Sequence, residues 1–216
     1  MKLHPTLTIM LRISVVLGVL FFAIQPVLAR PVTILALGDS LTAGYGLAEA
    51  DAFPAKLGLA LKARGHDVVV VNGGVSGDTA ADGLARLDWS LTPDVDAAIV
   101  ELGANDALRG LPVVQAEVAL NTILARLGDR NIPVLLAGMR APPNLGPGYA
   151  TAFDAMYARL SDKHGAILYP FFLDGVVAEP GLNQADGIHP LAPGVDIIVA
   201  RILPSVEQLI RKAGTK

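Results

Sequence analysis

Five short apolar runs alternate with stretches of helical periodicity, and that alternation restricts the fold more than any other feature. The runs are VTILAL (32–37), DVVVVN (67–72), DAAIVELG (96–103), PVLLAGM (133–139) and AILYPFF (166–172). They are continuous in apolar character rather than alternating, the pattern of strands covered on both faces. Helices are predicted between and after them, at 53–64, 79–90, 113–128, 149–164 and 191–213. The third is the clearest. Val113, Ala116, Leu120, Ile123, Leu124 and Leu127 recur at helical spacing, and Gly128 stands near the end as a stop signal. Strand and helix alternating in this way predict one α/β domain: a five-stranded parallel sheet with helices on both faces, a three-layer αβα sandwich. The Pro/Gly-rich stretch APPNLGPGY (141–149) reads as a loop inside that domain, not as a boundary.

The first 29 residues stand outside the pattern. Lys2 and Arg12 precede the apolar run ISVVLGVLFFAI (13–24), and Val27-Leu28-Ala29 follows Pro26. This is the layout of a secretory signal peptide cleaved after Ala29. An apolar stretch of about 12 residues is short of the roughly 20 that span a bilayer. The expected organisation is therefore a leader over 1–29 and a single domain over 30–216. The domain would act outside the cytoplasm, in a bacterial periplasm, with no stable membrane anchor after cleavage. The chain has no cysteine, which excludes disulfides, thiolate catalysis, Cys-bound zinc and a lipid-anchored cysteine. A net charge of −3 without blocks of like charge provides no footprint for nucleic acid.

In an open parallel sheet, ligands bind beyond the carboxyl ends of the strands. Three polar, glycine-rich turns fall there: Gly38-Asp39-Ser40, Gly73 to Thr79, and Gly103 to Asp106. Ser40 is the best-placed hydroxyl. Among four histidines, His4 lies in the leader, while His66 and His164 lie in helix-to-strand turns at the opposite edge. Only His189 comes from a loop that can return to the carboxyl edge. Asp186, three residues earlier, can reach its far ring nitrogen, fix the tautomer and stabilise the imidazolium. Gly77 and the Asn105 side-chain amide are candidate oxyanion donors, together with the Ser40 N–H. Gly77 has no side chain to block a close approach, but spacing alone does not choose between it and Gly73 or Gly74. Asp39 is expected to hold the tight turn locally.

These stretches together resemble the SGNH (GDSL) hydrolases. GDSLT (38–42), Gly77 within NGGVSGDT, GAND (103–106) and DGIHP (186–190) match that family's four blocks in order. SGDT, LARL, VELGANDALRG and PFFLDGV resemble its periplasmic thioesterase I / lysophospholipase L1 / arylesterase branch. The resemblance implies a flavodoxin-like fold and a catalytic triad of Ser40, His189 and Asp186. It also implies an oxyanion hole of Ser40, Gly77 and Asn105, with no metal and no cofactor. The implied reaction is hydrolysis of carboxylic esters or thioesters through an acyl-enzyme, on aryl esters, acyl-CoA thioesters or lysophospholipids. The loops 107–112 and 140–150 would form an acyl groove.

Two other readings stand beside this one. An acetyl-carbohydrate esterase would want an aromatic platform, but only 5% of residues are aromatic and Trp89 is the single tryptophan. A flavodoxin-like binding module could cradle a phosphate or flavin at GDSLTAG, yet leaves Asp186, His189 and Asn105 without a role. Oligomeric state is not encoded in any motif.

Overall fold

The computed structural model describes residues 30–214; the expected leader over 1–29 lies outside them. Five strands form one parallel sheet: β1 (Val32–Gly38), β2 (Val68–Gly74), β3 (Ala97–Glu101), β4 (Val134–Ala137) and β5 (Ile167–Tyr169). Their order is β2-β1-β3-β4-β5. The register pairs Gly38 with Gly74 on one side and with Glu101 on the other, so three strands end side by side. The direction of winding reverses between β1 and β3. A crevice therefore opens beyond their carboxyl ends.

The helices are α1 (Ser40–Ala43), α2 (Phe53–Ala63), α3 (Ala80–Ala85), α4 (Leu87–Ser90), α5 (Ala104–Leu108), α6 (Val113–Asp129), α7 (Pro147–His164) and α8 (Ala192–Ala213). Helix α2 packs on α8 in one layer, and α6 packs between α3 and α7 in the other. The predicted stripe of α6 is the buried one, with Ala116, Leu120, Ile123, Leu124 and Leu127 all inside and Val113 at its margin. Burying one leucine or isoleucine of this kind contributes about 2 kcal/mol.

Three expectations are corrected. Gly128 does not end α6; it lies within the helix, and the chain reverses at Asn131, whose φ is +55°. Asparagine tolerates that left-handed backbone better than most residues, and its N–H closes the turn on the Gly128 carbonyl at 2.8 Å. The single helix expected over 79–90 breaks at Arg86, where φ/ψ of −103°/4° separates α3 from α4. Finally, β2 is not covered on both faces. It is an edge strand, with Val69 45% and Val71 39% exposed. Its valine run reflects the preference of β-branched side chains for extended backbone, which holds even where water covers one face.

Candidate active site

The turn after β1 is built by close approach. A Cβ on Gly38 would lie 2.1 Å from Thr42 Oγ1 and 2.6 Å from Glu101 Oε2, so only glycine fits. Asp39 caps α1, its Oδ1 accepting the Leu41 N–H at 3.0 Å. Ser40 therefore sits at the first helical position instead of being the cap, and its hydroxyl is not engaged in holding the turn.

The stretch from Asn183 to Pro190 folds back on itself through an isolated bridge between those two residues. This returns His189 to the carboxyl edge. His189 Nε2 lies 2.9 Å from Ser40 Oγ, and Nδ1 lies 2.6 Å from Asp186 Oδ2. Asp186 Oδ1 also accepts the backbone N–H groups of Ile188 and His189, at 2.9 and 3.0 Å. The His189 side-chain bond, with these two backbone bonds, lowers the Asp186 carboxyl to about 2. Neither Asp186 nor His189 caps α8, which begins without a side-chain cap. The Tyr45 ring lies against the His189 ring, centroids 4.7 Å apart.

Asn105 reaches the same locus from the start of α5. Its Nδ2 donates to Asp39 Oδ2 at 3.1 Å and to the Asp78 carbonyl at 3.0 Å. The amide therefore spans from the Ser40 turn to the loop after β2, with both of its hydrogens engaged. Among the three candidate glycines, Gly73 and Gly74 end β2: Gly74 spends its N–H on Asn72 Oδ1 at 3.0 Å, and Gly73 pairs within the sheet. The Gly77 N–H meets no acceptor among the described residues. Glycine there has a backbone reason besides leaving room for a close approach. An added Cβ would meet nothing nearer than 3.8 Å, but φ is +90°, a backbone that side chains rarely adopt. The five candidates Ser40, Gly77, Asn105, Asp186 and His189 are thus gathered at one edge. His66 and His164 lie elsewhere, against Glu207 (3.4 Å) and Asn121 (2.9 Å).

Beneath the turn lies a buried carboxyl pair: Asp39, expected to hold the turn, and Glu101, for which no role was expected. Asp39 and Glu101 are both fully buried. Burial raises Asp39 from 3.8 to about 6. It drives Glu101 well above its ordinary value, with the charge of Asp39 adding to the effect. Glu101 Oε2 accepts the Thr42 hydroxyl at 2.7 Å, while Oε1 has no partner among the described residues. A carboxylate inside the apolar run DAAIVELG was the available signal, since such a group must be paired or neutral when buried. Among the described residues, no cluster of three His, Asp or Glu has the arrangement of a metal site.

An apolar cavity of about 390 Å³ is lined by Leu41 and Ile188, the chain neighbours of Ser40 and His189, and by Leu108, Met139, Pro142 and Phe171 among others. Leu108 and Pro142 come from the two loops expected to form a groove. The other four come from elements not assigned to it. The Arg140 guanidinium lies 4.8 Å from the centre of the Phe171 ring.

A model of the GDSL-like Lipase/Acylhydrolase family matches residues 36–197. Esterase TesA of Pseudomonas aeruginosa is 38% identical over 179 residues, covering 82% of this chain and 89% of that protein. Thioesterase 1/protease 1/lysophospholipase L1 of Escherichia coli K12 is 42% identical over 159 residues, covering 73% and 75%. The crystal structure of AlinE4, an SGNH-hydrolase family esterase, superposes with a TM-score of 0.72 at 48% identity, covering 84% of this chain and 97% of that one.

Proposed function

The chain belongs to the GDSL-like lipase/acylhydrolase family and is an ester hydrolase, and from that premise we propose how its own residues carry the reaction. Ser40 is the nucleophile. His189 takes the hydroxyl proton through Nε2 as Oγ attacks the acyl carbonyl, and then returns that proton to the leaving oxygen or sulfur. Asp186 holds the imidazole by Nδ1 and stabilises its charge. The N–H groups of Ser40 and Gly77 and one hydrogen of the Asn105 amide receive the oxyanion, that hydrogen being shared away from its present acceptor. Water, activated by His189, then releases the acid from Ser40. The observation that carries this reading is the unbroken hydrogen-bond chain Asp186–His189–Ser40, with Leu41 and Ile188, the chain neighbours of Ser40 and His189, lining the apolar cavity. A phosphate- or flavin-binding module has no use for that chain.

The cavity supports medium- or long-chain acyl groups as substrates, in aryl esters, acyl-CoA thioesters or lysophospholipids. The test is hydrolysis of p-nitrophenyl esters from acetate to palmitate, alongside acyl-CoA of matching chain length, by the wild type and Ser40→Ala. Turnover that rises with chain length and collapses in the variant is the expected result. Turnover of acetate alone would remove the acyl groove from the proposal. Equal activity of wild type and variant would remove Ser40. We also propose that residues 1–29 are a leader cleaved on export to the periplasm. The N-terminal sequence of the protein recovered from that compartment tests this, with Arg30 as the expected first residue. Among the described residues no helix is long and apolar enough to cross a membrane.

A further inference from the structure

Arg86 occupies the break between α3 and α4, and its guanidinium reaches back under the site. Nη2 donates to the Gly38 carbonyl at 2.8 Å and Nη1 to the Gly73 carbonyl at 2.8 Å. Nε donates to Asp78 Oδ2 at 2.5 Å. These acceptors lie at the end of β1 directly before Asp39-Ser40, at the end of β2, and in the loop next to Gly77. Asp78 is gripped twice: Arg86 holds its side chain and Asn105 holds its carbonyl. The Gly38 carbonyl is shared as well, taking the Val75 N–H at 3.1 Å. One planar cation therefore joins the turn that carries Ser40 to the loop that carries Gly77, and through Asp78 it reaches the Asn105 amide.

We infer that Arg86 is a positioning residue for the oxyanion hole, holding the donors of Ser40, Gly77 and Asn105 in place before the oxyanion forms. The inference rests on the proposed roles of those three groups. Its physical basis is preorganisation. Donors contribute to rate when they are already aimed at the developing charge, and a displacement of about 1 Å can cost on the order of 100-fold. The geometry requires a fork. Three acceptors met by three different nitrogens suit a guanidinium, whereas a lysine ammonium is a point charge on a flexible stem with no such fork. Arg109 holds the same loop by a single bond, Nη2 to the Gly77 carbonyl at 2.7 Å, and is exposed. It is the weaker tether.

The test compares Arg86→Lys, Arg86→Met and Asp78→Asn in the whole protein, assayed below their melting temperatures. Two readouts are used: kcat and KM on a medium-chain p-nitrophenyl ester, and affinity for a trifluoromethyl ketone of matching chain, whose adduct places an oxyanion in the hole. Arg86→Lys is expected to lower kcat roughly 10- to 100-fold, with KM changed less than about twofold and ketone affinity falling by the same factor as kcat/KM. In an Asn105→Ala background the same substitution is expected to cost a smaller factor, because one of the donors it positions is gone. Folded Arg86→Lys and Arg86→Met with kcat within about twofold of wild type would overturn the inference. So would an equal loss in both backgrounds, or a loss of kcat that leaves ketone affinity unmoved, since a merely structural arginine produces those results. If Arg86→Met does not fold, Arg86→Lys and Asp78→Asn carry the same comparison. Failure of the underlying reading is seen separately, as undiminished kcat in Asn105→Ala alone.

Discussion

The two halves of the site are made in opposite ways. The Asp186–His189 half is local and wet: three residues apart in one loop, with side chains 41% and 22% exposed. The Asp39–Asn105 half is assembled from strand ends and helices far apart in sequence, and Asp39 has no exposure at all. The same side chain titrates at about 2 in one half and about 6 in the other. Hydrogen bonds from His189 and two backbone N–H groups stabilise the Asp186 anion where water already solvates it. Loss of water outweighs the bonds that Asp39 receives from Leu41 and Asn105. Environment, not residue type, decides which carboxyl carries charge across the working range.

That contrast predicts separable effects on activity and stability. Asp186→Asn should remove about 10⁴-fold of kcat, because the wrong imidazole tautomer then faces Ser40. Its melting temperature should move by less than about 2 °C, since so exposed a pair adds little to stability. A large drop in melting temperature, measured by calorimetry at pH 7, would break the comparison. Asn105→Ala should cost a smaller factor in kcat, on the order of 10² to 10³. It should also destabilise the fold by about 1–3 kcal/mol, because buried Asp39 Oδ2 and the Asp78 carbonyl lose their donor. Loss of activity without loss of stability would show that the buried half is not held together in this way.

The pH dependence of stability sharpens the same point. Asp39 is raised when folded, so the folded state holds its proton longer than the unfolded chain. Stability from this group is present below about pH 4 and lost as pH rises through about 6. A rise from 3.8 to about 6 corresponds to about 3 kcal/mol. Urea unfolding of the wild type between pH 4 and 7 should show that decline, and Asp39→Asn should make it shallower, leaving the part that buried Glu101 contributes with the same sign. A wild-type profile that rises over this interval would contradict the burial argument. Asp186 has the reverse sign, its contribution being lost only as pH falls toward 2. The smallest effect is expected from Glu101→Gln. The amide keeps an oxygen for the Thr42 hydroxyl and has no charge to desolvate, so kcat should stay within about threefold and melting temperature at pH 8 should equal or exceed wild type. A fall in stability at pH 8 would mean that the ionised form of Glu101 is the one the fold needs.

Much of this was legible in the chain itself. Periodicity located all five strands and the stripe of α6 because burial selects apolar side chains at fixed intervals. Asp186 and His189 could be paired from three-residue spacing because their contact is made inside one loop. The edge exposure of β2 was not legible, since valine suits an extended backbone in water or out of it. The break at Arg86 was equally hidden. The carbonyls on β1 and β2 that Arg86 reaches come together only when the sheet forms.

The amino-acid sequence by itself determined the class of fold, the sheet edge proposed for chemistry, and Ser40, Asn105, Asp186 and His189 as candidates, while Gly77 was singled out from its neighbouring glycines only by the family resemblance. These depend on local patterns and short spacings. Tertiary structure alone decided the strand order, the burial that separates Asp39 from Asp186, the cavity shared among five separate segments, and the reach of Arg86. Each of those depends on desolvation or on contacts between residues tens of positions apart, and both arise only once the chain has packed.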